Sequence, residues 1–431
     1  MMRLGAVADD VTGACDLAGR VAAAGLAATV VIGVPREADL FPGTAAPSGG
    51  RDAGHCTVVG LKIRTAPVAD AVRESTAAAR ALLAAGATLL YQKYCSTFDS
   101  TADGTIGPVG DALARAAGSA VTVGTPATPA AGRTQYASTV FVHGVPLAES
   151  PMRDHPLTPM RDSNVVRLLT PQTPQAVSAV TWETVRAGAP AVTARLRERT
   201  GHVLVDALTE DDLDVTAASI LALAGQRSVV ATGAAGLGTA LARAAVSAAG
   251  AREDAALPPL DVRGRLIVAG SVSTATRAQA AAFPGERHTL DPLALADGSA
   301  ELDRVREALR RRADPRIPVL VSAQSDPAQV ARAQRDLGTE RAAALVEDAL
   351  AAIALFAVQE LHYSHLLVAG GETSGAVVAR LGVQRLAVGR EAAPGVPWTV
   401  GESAGQPVAL LLKSGNFGDA GLFSSAWEAA P

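Results

Sequence analysis

The chain has 431 residues, 48% of them hydrophobic and 19% charged, which supplies apolar material to bury and too little charge to hold a chain unfolded. Single cores stop growing near ~250–300 residues, so this length predicts two domains. A formal net charge of −4 speaks against a nucleic-acid partner, since such recognition draws on a basic surface.

The apolar stretches at 22–34 and 353–358 fall short of the ~20-residue span of a membrane helix, so no membrane partner is expected. Cys15, Cys56 and Cys95 lie far apart, without metal-ligand or disulfide-framework spacing, and Asp9 and Asp10 interrupt the start before a leader core could form. Both features lead to a cytoplasmic expectation. Of the 38 basic residues only three are lysines, Lys62, Lys93 and Lys413, leaving 35 arginines. A compact ammonium kept against that background marks places where a planar guanidinium would not fit.

In chain order, β-branched runs at 5–8, 29–32, 56–61, 88–91 and 120–123 read as strands, and helical periodicity covers 12–24, 67–85 and 107–117. The β-α-β alternation predicts a mainly parallel sheet with right-handed crossovers. Residues 42–54, rich in Gly, Pro and Ser, read as a surface loop. Strands at 202–205 and 228–232 and a helix at 237–249 complete an N-terminal domain, 1–250. The segment 251–264, holding Pro258-Pro259, reads as a linker. A second series of strands at 265–269, 318–322, 366–369 and 408–412 defines a C-terminal domain, 265–431. The fold class is therefore α/β, two three-layer domains with mainly parallel sheets and a ligand cleft expected between them.

Three kinds of segment carry chemistry. Val7-Ala8-Asp9-Asp10-Val11-Thr12-Gly13 sets two carboxylates where the first strand gives way to a helix, the end of an α/β sheet that holds ligands. One of the pair is expected to cap the helix, which leaves the other as a base or hydroxyl binder. Lys93-Tyr94-Cys95-Ser96-Thr97-Phe98-Asp99-Ser100-Thr101 packs hydroxyls, a lysine and an aspartate into one turn, suited to a polyhydroxylated acid. A helix-capping turn would explain the hydroxyls but not the lysine. Arg64 is a further anion-binding candidate.

The third kind is a set of glycine-rich turns, each directly after an expected strand: Gly270-Ser271-Val272-Ser273, Gly370-Gly371-Glu372-Thr373-Ser374-Gly375 and Lys413-Ser414-Gly415-Asn416-Phe417-Gly418. Small residues there let backbone N–H groups approach phosphate oxygens. One such turn is weak evidence, whereas three on one margin of one sheet are not readily coincidental. No Gly-x-x-x-x-Gly-Lys-Ser/Thr run and no Gly-x-Gly-x-x-Gly after the first strand occurs, which excludes a P-loop and disfavours a dehydrogenase. His362-x-x-His365 reads as helix surface leading into a strand, and metal is expected only as Mg²⁺ on nucleotide phosphates.

These segments, with Gly132-Arg133-Thr134, His155-Pro156-Leu157-Thr158-Pro159-Met160 and Gly395-Val396-Pro397-Trp398, resemble the four-carbon acid sugar kinase family, more closely its 3-oxo-tetronate kinase branch. The likeness runs over nearly the whole chain. It implies an acid-sugar-binding N-terminal domain and a nucleotide-binding C-terminal domain, with ATP around Ser271, residues 370–373 and Gly415. Departures at Val11, where Phe is usual, at Thr105, where Asn is common, and in 125–131, which lacks an expected aromatic, bear on substrate preference and not on reaction class.

The combined expectation is an ATP-dependent kinase that phosphorylates the C4 hydroxyl of a 3-oxo-tetronate in sugar-acid catabolism. Its nearest rival is a threonate or erythronate kinase; a nucleotide-regulated sensor without turnover is more distant. Asp10, Asp9 and Lys93 are the catalytic candidates, and Arg64, Lys93, Ser96, Thr97 and Asp99 the substrate contacts. Ser271, Ser273, Gly370, Gly371, Glu372, Thr373, Lys413, Gly415 and Asn416 are the ATP contacts. Partners are a small sugar acid and, compatibly, further copies of the chain.

Overall fold

The computed structural model describes residues 2–36, 40–41, 54–154, 158–249, 257–323 and 326–431. Residues 42–53 of the expected loop, 251–256 of the expected linker and the His155-Pro156-Leu157 segment lie outside them. The chain divides into two compact units, Met1–Ala255 and Ala256–Pro431. Leu260 packs against the core of the second unit.

In the first unit β1 (Met2–Ala8), β2 (Ala27–Ile32), β3 (Gly54–Gly60), β4 (Leu89–Lys93) and β5 (Val121–Thr125) are followed by β6 (Arg133–Tyr136), β7 (Thr139–Val142) and β8 (Val145–Pro146), then β9 (Val177–Val180), β10 (Gly201–Val205) and β11 (Val230–Gly233). Eight of these form a sheet in the order β2-β3-β1-β4-β11-β5-β10-β9, with every pair parallel. The central strands β4 and β5 are buried along their whole length, so both of their faces are covered.

Helix α1 (Val11–Ala23) lays Ala14, Leu17, Ala18 and Val21 onto one face, a stripe at helical spacing. Gly60 lets Ala14 approach, since a Cβ there would sit 3.2 Å from it. On the opposite face α2 (Val68–Ala84) and α3 (Ile106–Ala116) bring Leu82 and Leu113 onto Val7, Val59 and Leu90.

Strands β6–β8 form a separate antiparallel sheet joined by two-residue turns. Both turn residues take positive φ in each case, Ala137 and Ser138 in one and His143 and Gly144 in the other. Such turns match strand twist but disfavour residues with a Cβ, so the first needs outside support. Buried Asp206 provides it: its carboxylate accepts from the N–H of Ala137 (2.7 Å), the N–H of Ser138 (3.0 Å), Gln135 Nε2 (3.0 Å) and the Trp182 N–H (3.3 Å).

The second unit orders its strands β13-β14-β12-β15-β18-β17-β16: β12 (Arg265–Ala269), β13 (Arg287–Leu290), β14 (Val319–Ala323), β15 (His365–Ala369), β16 (Arg385–Ala393), β17 (Val396–Ser403) and β18 (Gln406–Lys413). Pairing is parallel from β13 to β18; β17 and β16 then run antiparallel. Sequence periodicity alone does not mark β6–β9, β13, β16 or β17. The β17–β18 link, Ala404-Gly405, is another turn with positive φ at both residues.

Two expectations need correction. His362 lies beyond the end of a helix with φ of 58°, and His365 is a fully buried first residue of β15, with Nδ1 against the Ser364 hydroxyl and Nε2 against the Pro431 carbonyl; neither belongs to a helix surface. The helix Thr339–Gln359 is long and apolar enough to cross a membrane by length and composition, beyond the stretch expected there. Its apolar side chains Val346, Leu350, Ile353 and Phe356 are buried inside the unit, so the apolarity serves the core.

Replacing Asp206 by alanine leaves four N–H donors without their acceptor. Urea unfolding of Asp206→Ala is expected to show stability lower by roughly 2–4 kcal/mol, the range for stranding buried donors of a charged acceptor. A loss below about 0.5 kcal/mol would refute the support assigned to this carboxylate.

Candidate functional site

In a parallel sheet all C-terminal strand ends share one margin. In the first unit Ala8 pairs with Lys93, Lys93 with Gly233 and Gly233 with Thr125, so the segments after β1 and β4 emerge side by side. Asp9 and Asp10 follow β1 directly. Asp10 caps α1, its carboxylate accepting from the Gly13 N–H (2.7 Å) and the Thr12 hydroxyl (2.9 Å).

Arg64 spreads its fork over both acids. Nε and one Nη donate to the two Asp9 oxygens at 2.8 and 2.9 Å, and an Nη lies 3.1 Å from Asp10. The geometry is bidentate, the strong form of this pair. Burial alone would push the Asp10 carboxyl up, but Arg64, Lys93, the Gly13 N–H and the Thr12 hydroxyl together hold it below its ordinary value. Burial likewise opposes the Arg64 charge, yet Asp10 and Asp9 keep that guanidinium above its ordinary value.

Lys93 is buried and donates to the Tyr94 carbonyl at 3.1 Å. A Cβ built on Gly13 would lie 2.9 Å from Lys93 Nζ and 2.3 Å from an Asp10 oxygen. The ammonium therefore sits against the first turn of α1, and only glycine leaves room for it. Asp9, Gln92, Lys93 and Thr105 line a small adjoining cavity.

The turn after β4 folds on itself: the Thr97 hydroxyl donates to Asp99 at 2.6 Å and lies 2.9 Å from Cys95 Sγ. Phe98 holds φ of 51° with its ring fully buried edge-on against Tyr94, a strained residue kept in place by packing. Burial and then Asp99 push the Cys95 thiol up to about 12, so it stays protonated. Ser96 is half-buried and Thr97 and Asp99 are buried. Gln172 ties the far end of the turn down, its Nε2 donating to Ser100 Oγ and the Thr101 carbonyl.

In the second unit Ala269, Ala369 and Lys413 align across β12, β15 and β18, so the three glycine-rich turns leave one margin next to one another. Gly370 has φ of 129°, a backbone that side chains rarely allow, and offers no side-chain cap to the helix Gly371–Leu381. Its first-turn N–H groups thus lack the usual side-chain acceptor. Ser374 Oγ, in that first turn, is buried with no partner. A Cβ on Gly270 would meet Thr373 Oγ1 at 2.1 Å, and one on Gly415 would meet Ser271 Oγ at 2.4 Å. The turns interlock only without those side chains.

Ser273 caps the helix Thr274–Ala282, accepting from the Thr276 N–H, and donates to the Gly415 carbonyl at 2.6 Å. Lys413 is fully buried, its Nζ donating to Thr276 Oγ1 (2.9 Å) and the Gly415 carbonyl (3.0 Å). Burial brings its pKa down to about 7. Glu372 and Asn416 are exposed, Gly371 half-buried and Thr373 buried. Lys62 is exposed, so two of the three lysines are the buried ammonium groups their scarcity singles out. Thr276, Gln172 and Gln279 escape sequence reasoning; Gln279 Nε2 binds the carbonyls of Phe417, Gly418 and Asp419.

Among the described residues no group of three His, Cys, Asp or Glu gathers to hold a metal.

Two family models match: a sugar-binding N-terminal domain over residues 4–241 and a nucleotide-binding C-terminal domain over 266–423. Among curated proteins the chain is 42% identical to a 3-oxo-tetronate kinase of Pseudomonas fluorescens, covering 98% of this chain and 96% of that one. It is 43% identical to a 3-oxo-tetronate kinase of Methylobacterium radiotolerans over 99% of each chain. A solved Salmonella typhimurium structure superposes with a TM-score of 0.83 at 33% identity over 100% of both chains, and one from Haemophilus influenzae with 0.74 at 32% over 98% and 99%.

Lys413 loses its proton near pH 7 in the folded protein and near 10.5 when unfolded, so between those values the unfolded chain binds more protons and stability rises with pH. Urea midpoints measured from pH 7 to 9.5 are expected to climb, and Lys413→Met to flatten the climb. Parallel profiles for the two proteins would place the titration elsewhere.

Proposed function

The chain belongs to the four-carbon acid sugar kinase family, and from that premise we propose that it transfers the γ-phosphoryl group of ATP to the C4 hydroxyl of a 3-oxo-tetronate. The observation that supports this most is the alignment of three interlocked small-residue turns on one margin of the second unit. Their arrangement suits a triphosphate: an uncapped helix start at Gly371, the Ser271 hydroxyl and the backbone around Gly415.

In-line phosphoryl transfer passes through a loose transition state and asks mainly for positioning and charge neutralisation. Lys93 meets the substrate carboxylate, and the hydroxyls of Ser96 and Thr97 with Asp99 meet the sugar hydroxyls. Asp10 is held ionised by Arg64 and Lys93, so it orients the C4 hydroxyl by accepting its hydrogen bond. Asp9, paired through both oxygens with the Arg64 fork, holds that guanidinium in place. Mg²⁺ would arrive bound to the triphosphate, and the chemistry it would supply there is neutralisation of phosphate charge. The three free cysteines suit a reducing, cytoplasmic setting.

Purified protein with Mg-ATP is expected to release ADP on 3-oxo-tetronates with kcat/KM at least about tenfold above that on threonate or erythronate, a difference of ~1.4 kcal/mol in transition-state binding. Preference for the reduced acids would move the reading to a threonate or erythronate kinase. Ligand binding without ADP would make the protein a sensor. Lys93→Met is expected to lower kcat/KM by about 100-fold or more, as for loss of a buried charge partner. Lys93→Arg is expected to fall too, since α1 leaves no room for the larger head; full activity in that variant would refute the steric argument.

A further inference from the structure

Strand β6 lies over the C-terminal ends of β5 and β10, on the sheet margin that also carries Asp9 and Lys93. Its Gln135 side chain accepts from Thr125 Oγ1 at the end of β5 (3.3 Å) and donates to Asp206 beyond β10 (3.0 Å), and its backbone bridges Ala207. Val140 and Leu147, from the same antiparallel sheet and the segment after it, share one core with Tyr94 and Phe98 of the hydroxyl-rich turn. The Asp206 carboxylate pins the β6–β7 turn, so this is a fixed platform beside that turn.

Arg133 opens β6. Its side chain is partly buried, one Nη donates to the Ala131 carbonyl next to it, and Nε is buried with no hydrogen-bond partner. Among the described residues no carboxylate stands within ion-pair distance of it. Cys95 and Asp99 of the hydroxyl-rich turn and Asp16 and Arg20 of α1 are near enough to act on its charge. Asp16 and Arg20 already pair with each other at 2.7 Å, and Asp99 is engaged by Thr97. Arg64, the other arginine of the site, has its fork committed to Asp9 and Asp10.

A guanidinium carries five N–H donors in a rigid planar fork. Arg133 keeps most of them unspent at a half-buried position, where desolvation favours giving them an anion. We propose that Arg133 receives the carboxylate of the sugar-acid substrate through its fork, alongside the Lys93 ammonium. The inference rests on the kinase reading above and deepens it, because it makes the Arg133 fork, together with the Lys93 ammonium, responsible for selecting acids over neutral four-carbon sugars.

The test compares the full chain with Arg133→Gln and Arg133→Lys on a 3-oxo-tetronate and on its neutral carboxamide. Arg133→Gln is expected to raise KM for the acid about 30-fold or more, while KM for ATP and kcat/KM on the carboxamide stay within about twofold. The preference for acid over amide should therefore collapse. Arg133→Lys keeps the charge without the fork and is expected to retain part of the preference; it carries the test if the glutamine variant does not fold. Unchanged preference, or an equal fall on both compounds, overturns the proposal. If the unaltered protein turns over neither compound, the kinase reading fails by itself. Calorimetric binding of the acid then decides the role of Arg133: affinity lost in Arg133→Gln sustains it, and equal affinity ends it.

Discussion

Register decides which residues can meet at the edge of a parallel sheet, and in both units of this protein it brings chemistry-bearing segments into line. Ala8, Lys93, Gly233 and Thr125 stand abreast in one unit, and Ala269, Ala369 and Lys413 in the other. A slip of β4 or β18 by one residue against its neighbours would turn Lys93 or Lys413 to the opposite face of its sheet. The apolar strand interiors, buried on both faces, resist that slip, so the core specifies the site without touching a ligand.

Each margin also has to manage buried charge. The first unit does so by mutual neutralisation, with two carboxylates sharing one guanidinium and an ammonium held against the same helix start. The second keeps a lone ammonium, Lys413, among a hydroxyl, a carbonyl and the Phe423 ring, and burial draws its pKa towards neutrality. Where water is excluded, either a partner or a proton must give way.

Much of this was legible from the residues alone. Parallel strands announce themselves as apolar runs followed by turn residues, and Asp10 as a helix cap, lysine scarcity and the three glycine-rich turns all translate directly into local geometry. The antiparallel pieces were harder, because β6–β8 and β17–β18 turn on dipeptides such as Ala137-Ser138 and Ala404-Gly405 instead of the usual Asn-Gly. The first of these is tolerated because Asp206, about seventy residues away along the chain, supplies its hydrogen bonds. Nothing local encodes that rescue. Gln172 and Gln279 were illegible for a related reason: a glutamine that ties down a turn more than seventy or a hundred residues away leaves no motif. Arg64 was visible as a cation near the site, but only the fold shows that its donors are committed to Asp9 and Asp10.

Gln279 has an effect beyond bracing. Its single amide gathers the carbonyl oxygens of Phe417, Gly418 and Asp419, while Ser273, Thr276 and Lys413 together occupy that of Gly415. Four negative dipole ends in one short loop are thereby engaged from within the protein. A peptide unit whose oxygen is so occupied faces its surroundings chiefly with its positive end, so this loop gains an anion-favouring field from amide and hydroxyl groups and one buried lysine, without an exposed cation.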